Sequence, residues 1–381
     1  MSKHEHNKDE HTTADSRFMR MALDLARNGI GSVEPNPAVG CVLVKHGQVI
    51  GRGYHKAFGG PHAEVEALSD ADAKKNSVRR ATAYVTLEPC CHHGKTPPCT
   101  DALIEAGVSR VVVAVRDNAP HVAGNGIKAL RSAGVSVTTG VLADEAMALN
   151  WWFFHYHMTG RPWVICKWAQ SIDGKCAFRD SAAHGQWITN AQSRKDVHKT
   201  RRRCQAVLVG VGTVITDDPE LTARPALERY PARVVLDSSL RTPLKSKLLR
   251  PADNETIIIT TEQAAKEKAD KLAELEATHA KVAKVTADAD GKCDLGAVLK
   301  LLGKLGMSQM LVEGGPTVHA AFLKAQLANE LNIYIAPKIL GRTGTADISK
   351  AVTKSADMLR LKDVNTRKLG NDTLVSAICA I

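Results

Sequence analysis

Three observations make this chain an α/β protein of two domains. At 381 residues it exceeds what one ordinary hydrophobic core serves, since single cores stop growing at roughly 250–300 residues. Apolar strand-like runs alternate with amphipathic helix-like runs, the order that builds sheets covered by helices. Residues 149–162, LNWWFFHYHMTGRP, interrupt this alternation with an aromatic cluster next to a Gly-Arg-Pro break, which puts the boundary near Met158. The expected division is a polar, disordered tail over 1–15, a first domain over 16–158 and a second over 159–381.

In order, SRFMRMALDLARNG from Ser16 has Phe18, Met21, Ala22, Leu25 and Ala26 at helical spacing, and Asn28-Gly29 ends it. GCVLVKHGQVIGRGYH (40–55) reads as two strands around a His46-Gly47 turn. A helix from Pro61 through AEVEALSDA, the strand ATAYVTL (81–87), the helix TDALIEAG (100–107) and the strand RVVVAV (110–115) follow, then GIKALRSAG as helix and VSVTTG as strand. This order predicts a largely parallel sheet. Past the boundary, PWVICKWA, QAVLVGVGTV, RVVLD, ETIIIT, QMLVEGG and LNIYIAPKIL are strand candidates separated by helical stretches.

Composition narrows the function. The start, MSKHEHNKDEHTTADS, lacks an apolar signal-peptide core, and no stretch reaches the ~18 apolar residues of a membrane span, so a cytoplasmic protein is expected. Nine cysteines over two domains suit free or metal-bound thiols in a reducing compartment. The net charge of +11 suits either nucleic acid or small phosphorylated ligands. The densest basic run, RKDVHKTRRR (194–203), has helical spacing and no interleaved aromatics for base stacking, which favours small ligands.

PHAE (61–64) and TLEPCCHHGKTPPC (86–99) offer metal ligands. A catalytic zinc takes three protein ligands and leaves one position for water. His62, Cys90 and Cys99 supply one imidazole and two thiolates, with Glu64 beside the metal to shuttle a proton. Pro61 and Pro98, as first helical residues, would put His62 and Cys99 at helix starts. The competing assignment is a structural knuckle closed by Cys90, Cys91, His92 or His93, and Cys99. The pattern H-x-E…P-C-x-x-C belongs to zinc deaminases; HAE and EPC match it, but CHHGKTPP separates the cysteines here. Further on, GVGTV (210–214) is a weak dinucleotide fingerprint, with Ile215 at the third glycine position. LVEGGPTVHAAFLKA (311–325) is the better phosphate candidate, a strand ending in two glycines before a helix, though an ordinary turn would look the same.

PNPAVG (35–40), GYHKAFGGPHAEVEAL (53–68) and YVTLEPCCHHGKTPPCTDALIEAG (84–107) resemble the deaminase half of the bifunctional riboflavin-biosynthesis deaminase/reductases. PWVICKWAQSIDGK (162–175), GQWIT (185–189), VLVGVGTVITDDPELTAR (207–224), VVLDSSLRTP (234–243) and ELNIYIAPKILG (330–341) resemble the reductase half. The resemblance implies a cytidine-deaminase-like three-layer domain followed by a dihydrofolate-reductase-like domain, with zinc and NADPH as cofactors. It implies hydrolytic deamination of a diamino-pyrimidinone ribosylamine phosphate and then reduction of its ribosyl group. It implies zinc on His62, Cys90 and Cys99 with Glu64 catalytic, and substrate contacts from Asn36, His55, Lys95 and its neighbours His92 and Thr96. NADPH would meet Ala169, Trp187, Thr213, Asp217, Ser238, Gly315, Pro316 and Thr317. The second substrate site would use Lys167, Gly185, Arg201, Leu221, Arg224 and Glu313, the arginines suiting a phosphate and either Lys167 or Glu313 aiding proton movement. Cys91 and Gly185 stand where the family usually has serine. A homodimer or homotetramer is implied, and no nucleic acid is needed.

Overall fold

The structure, a computed structural model, describes residues 13–91, 97–119, 122–180, 187–225, 230–251, 254–345, 348 and 358–380. The chain divides into two compact units, Met1–Thr159 and Gly160–Ile381.

The first unit runs α1 (Thr13–Ala26), β1 (Gly40–Lys45), β2 (Gln48–Tyr54), α2 (Ala63–Ala73), β3 (Thr82–Leu87), α3 (Cys99–Glu105), β4 (Arg110–Val115), α4 (Asn125–Ser132), β5 (Ser136–Thr139), α5 (Ala143–Leu149) and α6 (Trp151–Thr159). Its sheet order is β2-β1-β3-β4-β5. The expected parallel sheet is only half realised: β3, β4 and β5 are parallel, but β2–β1 and β1–β3 are antiparallel. The cause is the tight turn at His46 (φ 51) and Gly47 (φ 73), which returns the chain with no room for a crossover.

Side chains alternate along each strand, and both sets are buried. Cys41, Leu43, Ala83, Val85, Val111 and Val113 pack against Ala63 and Ala67 of α2, Leu103 of α3 and Leu130 of α4. Val42, Val44, Tyr84, Val112 and Ala114 pack against Phe18, Met19, Ala22 and Leu23 of α1 and Ala146 of α5. A sheet buried on both faces demands continuous apolar strands, which is how these sequences read. A Cβ on Gly40 would lie 2.0 Å from the Ala22 carbonyl oxygen, so glycine is what lets α1 lie this close. α1 also begins at Thr13, inside the stretch expected to be tail. Asp15 is buried, accepting hydrogen bonds from Tyr84 Oη (2.8 Å) and from Arg110 Nη1 and Nη2 (2.9 Å each).

The second unit contains β6 (Trp163–Ser171), α7 (Ala191–Arg203), β7 (Ala206–Gly210), α8 (Val211–Asp217), β8 (Ala232–Leu236), β9 (Thr256–Thr261), α9 (Glu262–Glu267), α10 (Ala269–Glu276), β10 (Ala280–Val285), α11 (Leu295–Lys304), β11 (Gln309–Val312), α12 (Pro316–Lys324), β12 (Glu330–Ala336), β13 (Leu361–Leu369) and β14 (Asp372–Cys379). The sheet order is β10-β9-β8-β7-β11-β6-β12-β14-β13. It is parallel from β10 to β12, and the final hairpin adds antiparallel strands. Val298, Leu299 and Leu302 of α11 and Phe322 and Leu323 of α12 cover one face, meeting Val164, Cys166, Leu208, Val234, Ile257 and Met310. β10, β13 and β14 have no counterpart among the predicted strands; β13 is almost wholly exposed and polar, so no apolar period marks it. GVGTV carries the chain from β7 into α8, with Gly210 as the N-cap and Val211 onward helical. Among the described residues no helix is long and apolar enough to cross a membrane.

Asp15→Ala should lower the stability of the first unit by roughly 2 kcal/mol, because it removes a charge-assisted pair of bonds and leaves the Tyr84 hydroxyl unpaired in the core. Calorimetry of the full chain should show the corresponding transition about 5 °C lower.

Candidate active sites

In the first unit the metal-binding candidates come from three separate elements. His62 is the N-cap of α2, Cys90 leaves the end of β3, and Cys99 is the first residue of α3. The prolines lie earlier than expected, Pro61 two residues before the first residue of α2 and Pro98 as the N-cap of α3, yet the ligands still stand at helix starts. His62 Nδ1 lies 3.2 Å from Cys99 Sγ and 3.5 Å from Cys90 Sγ, and the three donor atoms all fall within 4.8 Å of one another. A tetrahedral ion held at ~2.0–2.3 Å needs ligands this close, and a set of one nitrogen and two sulfurs suits zinc with a fourth position open. Among the described residues no other group of three forms such a cluster; Cys91 does not join it, and His92, His93, Lys95 and Thr96 lie outside the described residues.

The electrostatics favour a thiolate at this site. Cys90 is held down to about 4, first by its contact with Cys99 and then by His62. Cys99 moves up, first because of Cys90 and then through burial, so the pair retains one proton. Glu64, in the first turn of α2 and buried, is pushed up to about 7, mainly by burial and then by Cys90. His55 donates from Nδ1 to the Pro61 carbonyl (2.9 Å), which makes Nε2 the acceptor for Asn36 Nδ2 at 3.2 Å. The His55 and His62 rings meet edge to face at 5.4 Å, so Asn36, His55 and the ligand cluster form one site.

Sequence reasoning missed Glu88. Its buried carboxylate accepts hydrogen bonds from the backbone N–H groups of Asp117 (3.2 Å), Gly124 (3.0 Å) and Ile127 (3.0 Å), tying the loop before α4 to the strand end that carries Cys90. A Cβ on Gly126 would lie 2.0 Å from the Pro89 carbonyl oxygen, so the same loop presses on the metal-binding turn. Its place two residues before Cys90 was visible in the sequence, but its partners, some thirty residues on, were not.

In the second unit the candidates gather where the parallel strands β8, β7 and β11 end beside the middle of β6. Lys167 and Ala169 lie on β6, Thr213 just beyond β7, Ser238 just beyond β8, and Glu313 and Gly315 just beyond β11. Glu313 is gripped by Arg201 (Nε to Oε1 2.5 Å, Nη2 to Oε2 3.1 Å) and faces Lys167 Nζ at 3.7 Å. Burial alone would raise Glu313, but Arg201 and then Lys167 outweigh it and hold the carboxyl at about 2. Burial lowers Lys167 despite Glu313. Arg201 spends a further N–H on the Thr222 carbonyl (2.7 Å). Arg224 is exposed and pairs only at the surface with Glu220 (2.6 Å).

Gly315 caps α12, Pro316 is its first residue, and Thr213 Oγ1 would lie 3.7 Å from a Cβ on Gly315, which brings two predicted cofactor contacts together. The free helix start and open glycine backbone fit an anionic cofactor group. Thr317 and Asp217 are exposed beside this turn's elements; Trp187 is 58% exposed, with the Arg194 guanidinium 5.0 Å over its ring. Ser238 is tied to Cys293, whose N–H donates to Ser238 Oγ at 3.0 Å. Leu221 is buried with φ 56, so what it offers a ligand is a packed wall; Gly185 lies outside the described residues. His319, absent from the sequence-based list, is buried with its ring 5.5 Å from Trp168, and burial first and Lys167 second push it down to about 4.

The family model of the cytidine and deoxycytidylate deaminase zinc-binding region matches residues 12–115, and that of the RibD C-terminal domain matches 162–375. The riboflavin biosynthesis protein RibD of Aquifex aeolicus is 42% identical, with 95% of this chain and 97% of that protein covered. Its Escherichia coli counterpart is 40% identical, with 96% and 100% covered. Among solved structures, Acinetobacter baumannii RibD superposes with a TM-score of 0.82 at 36% identity, covering 97% of this chain and 99% of that one. The Thermotoga maritima diaminohydroxyphosphoribosylaminopyrimidine deaminase/5-amino-6-(5-phosphoribosylamino)uracil reductase gives 0.80 at 37% identity, covering 96% and 99%. Similarity that spans both units in the same order, with a zinc-ligand cluster in the first, shows that the chain belongs to the RibD family of riboflavin-biosynthesis deaminase/reductases.

Proposed function

We propose that the two steps of this bifunctional enzyme divide between the units, with hydrolytic deamination in the first and NADPH-dependent reduction in the second. Zinc is the cofactor of the deaminase and NADPH that of the reductase. His62, Cys90 and Cys99 hold the zinc, which when bound supplies the Lewis acidity that makes water a nucleophile near neutral pH. Glu64 accepts the proton of the attacking water and returns it to the departing amine. A carboxyl held at about 7 suits both directions of that transfer. His55 has its tautomer set by Pro61 and uses Nε2 to hold the Asn36 amide, leaving the Asn36 carbonyl oxygen to accept from the pyrimidine ring. Family resemblance adds Lys95 as a further substrate contact.

In the second site Ala169, Trp187, Thr213, Asp217, Ser238 and the Gly315–Thr317 turn hold NADPH, which when bound supplies hydride. Lys167, rather than Glu313, delivers the accompanying proton: an ammonium lowered by burial can give one, whereas Glu313 at about 2 remains a carboxylate and orients the sugar hydroxyls. Arg224, with the N–H groups that Arg201 has left, takes the substrate phosphate; Leu221 lines the pocket, and family resemblance adds Gly185 as a substrate contact. The reading extends to a cytoplasmic homodimer or homotetramer that acts on small molecules and needs no nucleic acid, supported by membership in a family of small-molecule enzymes. The observation that carries the whole is the convergence of His62, Cys90 and Cys99 beside buried Glu64.

Glu64→Gln should lower deamination by about 10³-fold while zinc per chain stays at the wild-type level. Cys90→Ser should lose the zinc itself, measured by elemental analysis, and leave NADPH-dependent reduction of the deaminated substrate unchanged. Arg224→Ala should raise the reductase KM for the phosphorylated substrate roughly tenfold with little change in kcat, the pattern of an interaction made equally in ground and transition states.

A further inference from the structure

The proposed role of Lys167 leaves open what holds its flexible chain in place, because its ion pair with Glu313 is long at 3.7 Å and Arg201 already occupies that carboxylate. The neighbouring strand supplies an answer. β6 and β12 are parallel, with Ala169 opposite Tyr334 and Lys167 opposite Asn332, so alternation puts Lys167, Ala169, Asn332 and Tyr334 on one face of the sheet. The Lys167 ammonium lies 5.7 Å from the centroid of the Tyr334 ring, within reach of the negative face of its π system.

That ring is fixed at its far end. Tyr334 is 1% exposed and packs against Val197 of α7 and Leu374 of β14. Its hydroxyl donates to Asp196 Oδ2 at 2.9 Å, and Asp196, itself buried, accepts from Arg367 Nη2 at 2.8 Å on each oxygen. The chain of contacts therefore runs from the polar hairpin strand β13, through α7, to the face of β12 under Lys167.

We infer that Tyr334 is a positioning residue for the reduction, its anchored ring holding the Lys167 ammonium beside Glu313 in the one arrangement from which it can serve the substrate. The inference rests on the reading that Lys167 serves the reductase site. It gives Asp196 and Arg367, neither of which touches Lys167, a mechanical part in the same site. A leucine at 334 fills the core but offers no quadrupole; phenylalanine keeps the ring and gives up only the hydroxyl anchor.

The test uses the full-length, zinc-loaded enzyme, with the KM for NADPH as the control that the second unit stays folded, and measures NADPH oxidation on the deaminated substrate. Tyr334→Leu should lower reductase kcat about tenfold with KM for the phosphorylated substrate and for NADPH within twofold, while Tyr334→Phe keeps at least a third of wild-type kcat. Deaminase activity should be unchanged in both. Wild-type kcat in Tyr334→Leu, or equal losses in the leucine and phenylalanine variants, would overturn the inference. Lys167→Met separates the two claims: retained reduction in that variant removes the role of Lys167, whereas its loss alongside an unaffected Tyr334→Leu removes only the role of Tyr334.

Discussion

Parallel strands all run the same way, so their carboxyl ends line up along one edge of the sheet, and the helices that follow begin there with unpaired backbone N–H groups. Both chemistries depend on this constraint. In the first unit β3 ends at Leu87, three residues before Cys90, and the starts of α2 and α3 bring His62 and Cys99 to the same edge. In the second, β7, β8 and β11 end beside the middle of β6, which brings Thr213, Ser238 and Glu313 to the edge where Lys167 lies. Strands apolar on both faces make this possible, because only a sheet buried on both sides holds its strand ends in fixed register.

Each site buries a glutamate, and the two carboxyls are driven in opposite directions. Glu64 has no lysine or arginine paired with it among the described residues, and burial outweighs the pull of His62 and lifts it to about 7, where it can both take and give a proton. Glu313 is buried too, but Arg201 and Lys167 outweigh that burial and leave it a carboxylate that cannot serve as an acid near neutral pH. In the proposed function the same residue type thus serves as a proton shuttle in one site and a fixed negative charge in the other, according to the cations within reach. The cost of burying Glu313, Arg201 and Lys167 together is offset only if their geometry is kept, which explains why Arg201 turns its fork to the glutamate and to Thr222.

Much of this was legible along the chain. The strand runs of the first unit, the His46-Gly47 turn, the helix starts next to Pro61 and Pro98, and the triplet His62, Cys90 and Cys99 all follow from local pattern and ligand chemistry. The strand of LVEGGPT and the helix after it were legible for the same reason. What escaped had no local signal. β13 is polar and exposed, so its strand character comes only from pairing with β14. Asp15 read as part of a polar tail because its partners, Tyr84 and Arg110, lie far along the chain.

The sequence by itself determined the α/β layering, the two-domain order and the identity of the chemistry-bearing residues, because hydrophobic period, turn residues and ligand types are properties of short segments. Only the tertiary structure decided which faces of those residues meet. It set the antiparallel half of the first sheet, paired Arg201 with Glu313, clamped the Cys90 turn with Glu88, and put Tyr334 beneath Lys167. Those outcomes depend on strand order and on distances between residues remote in the chain, which no local pattern encodes.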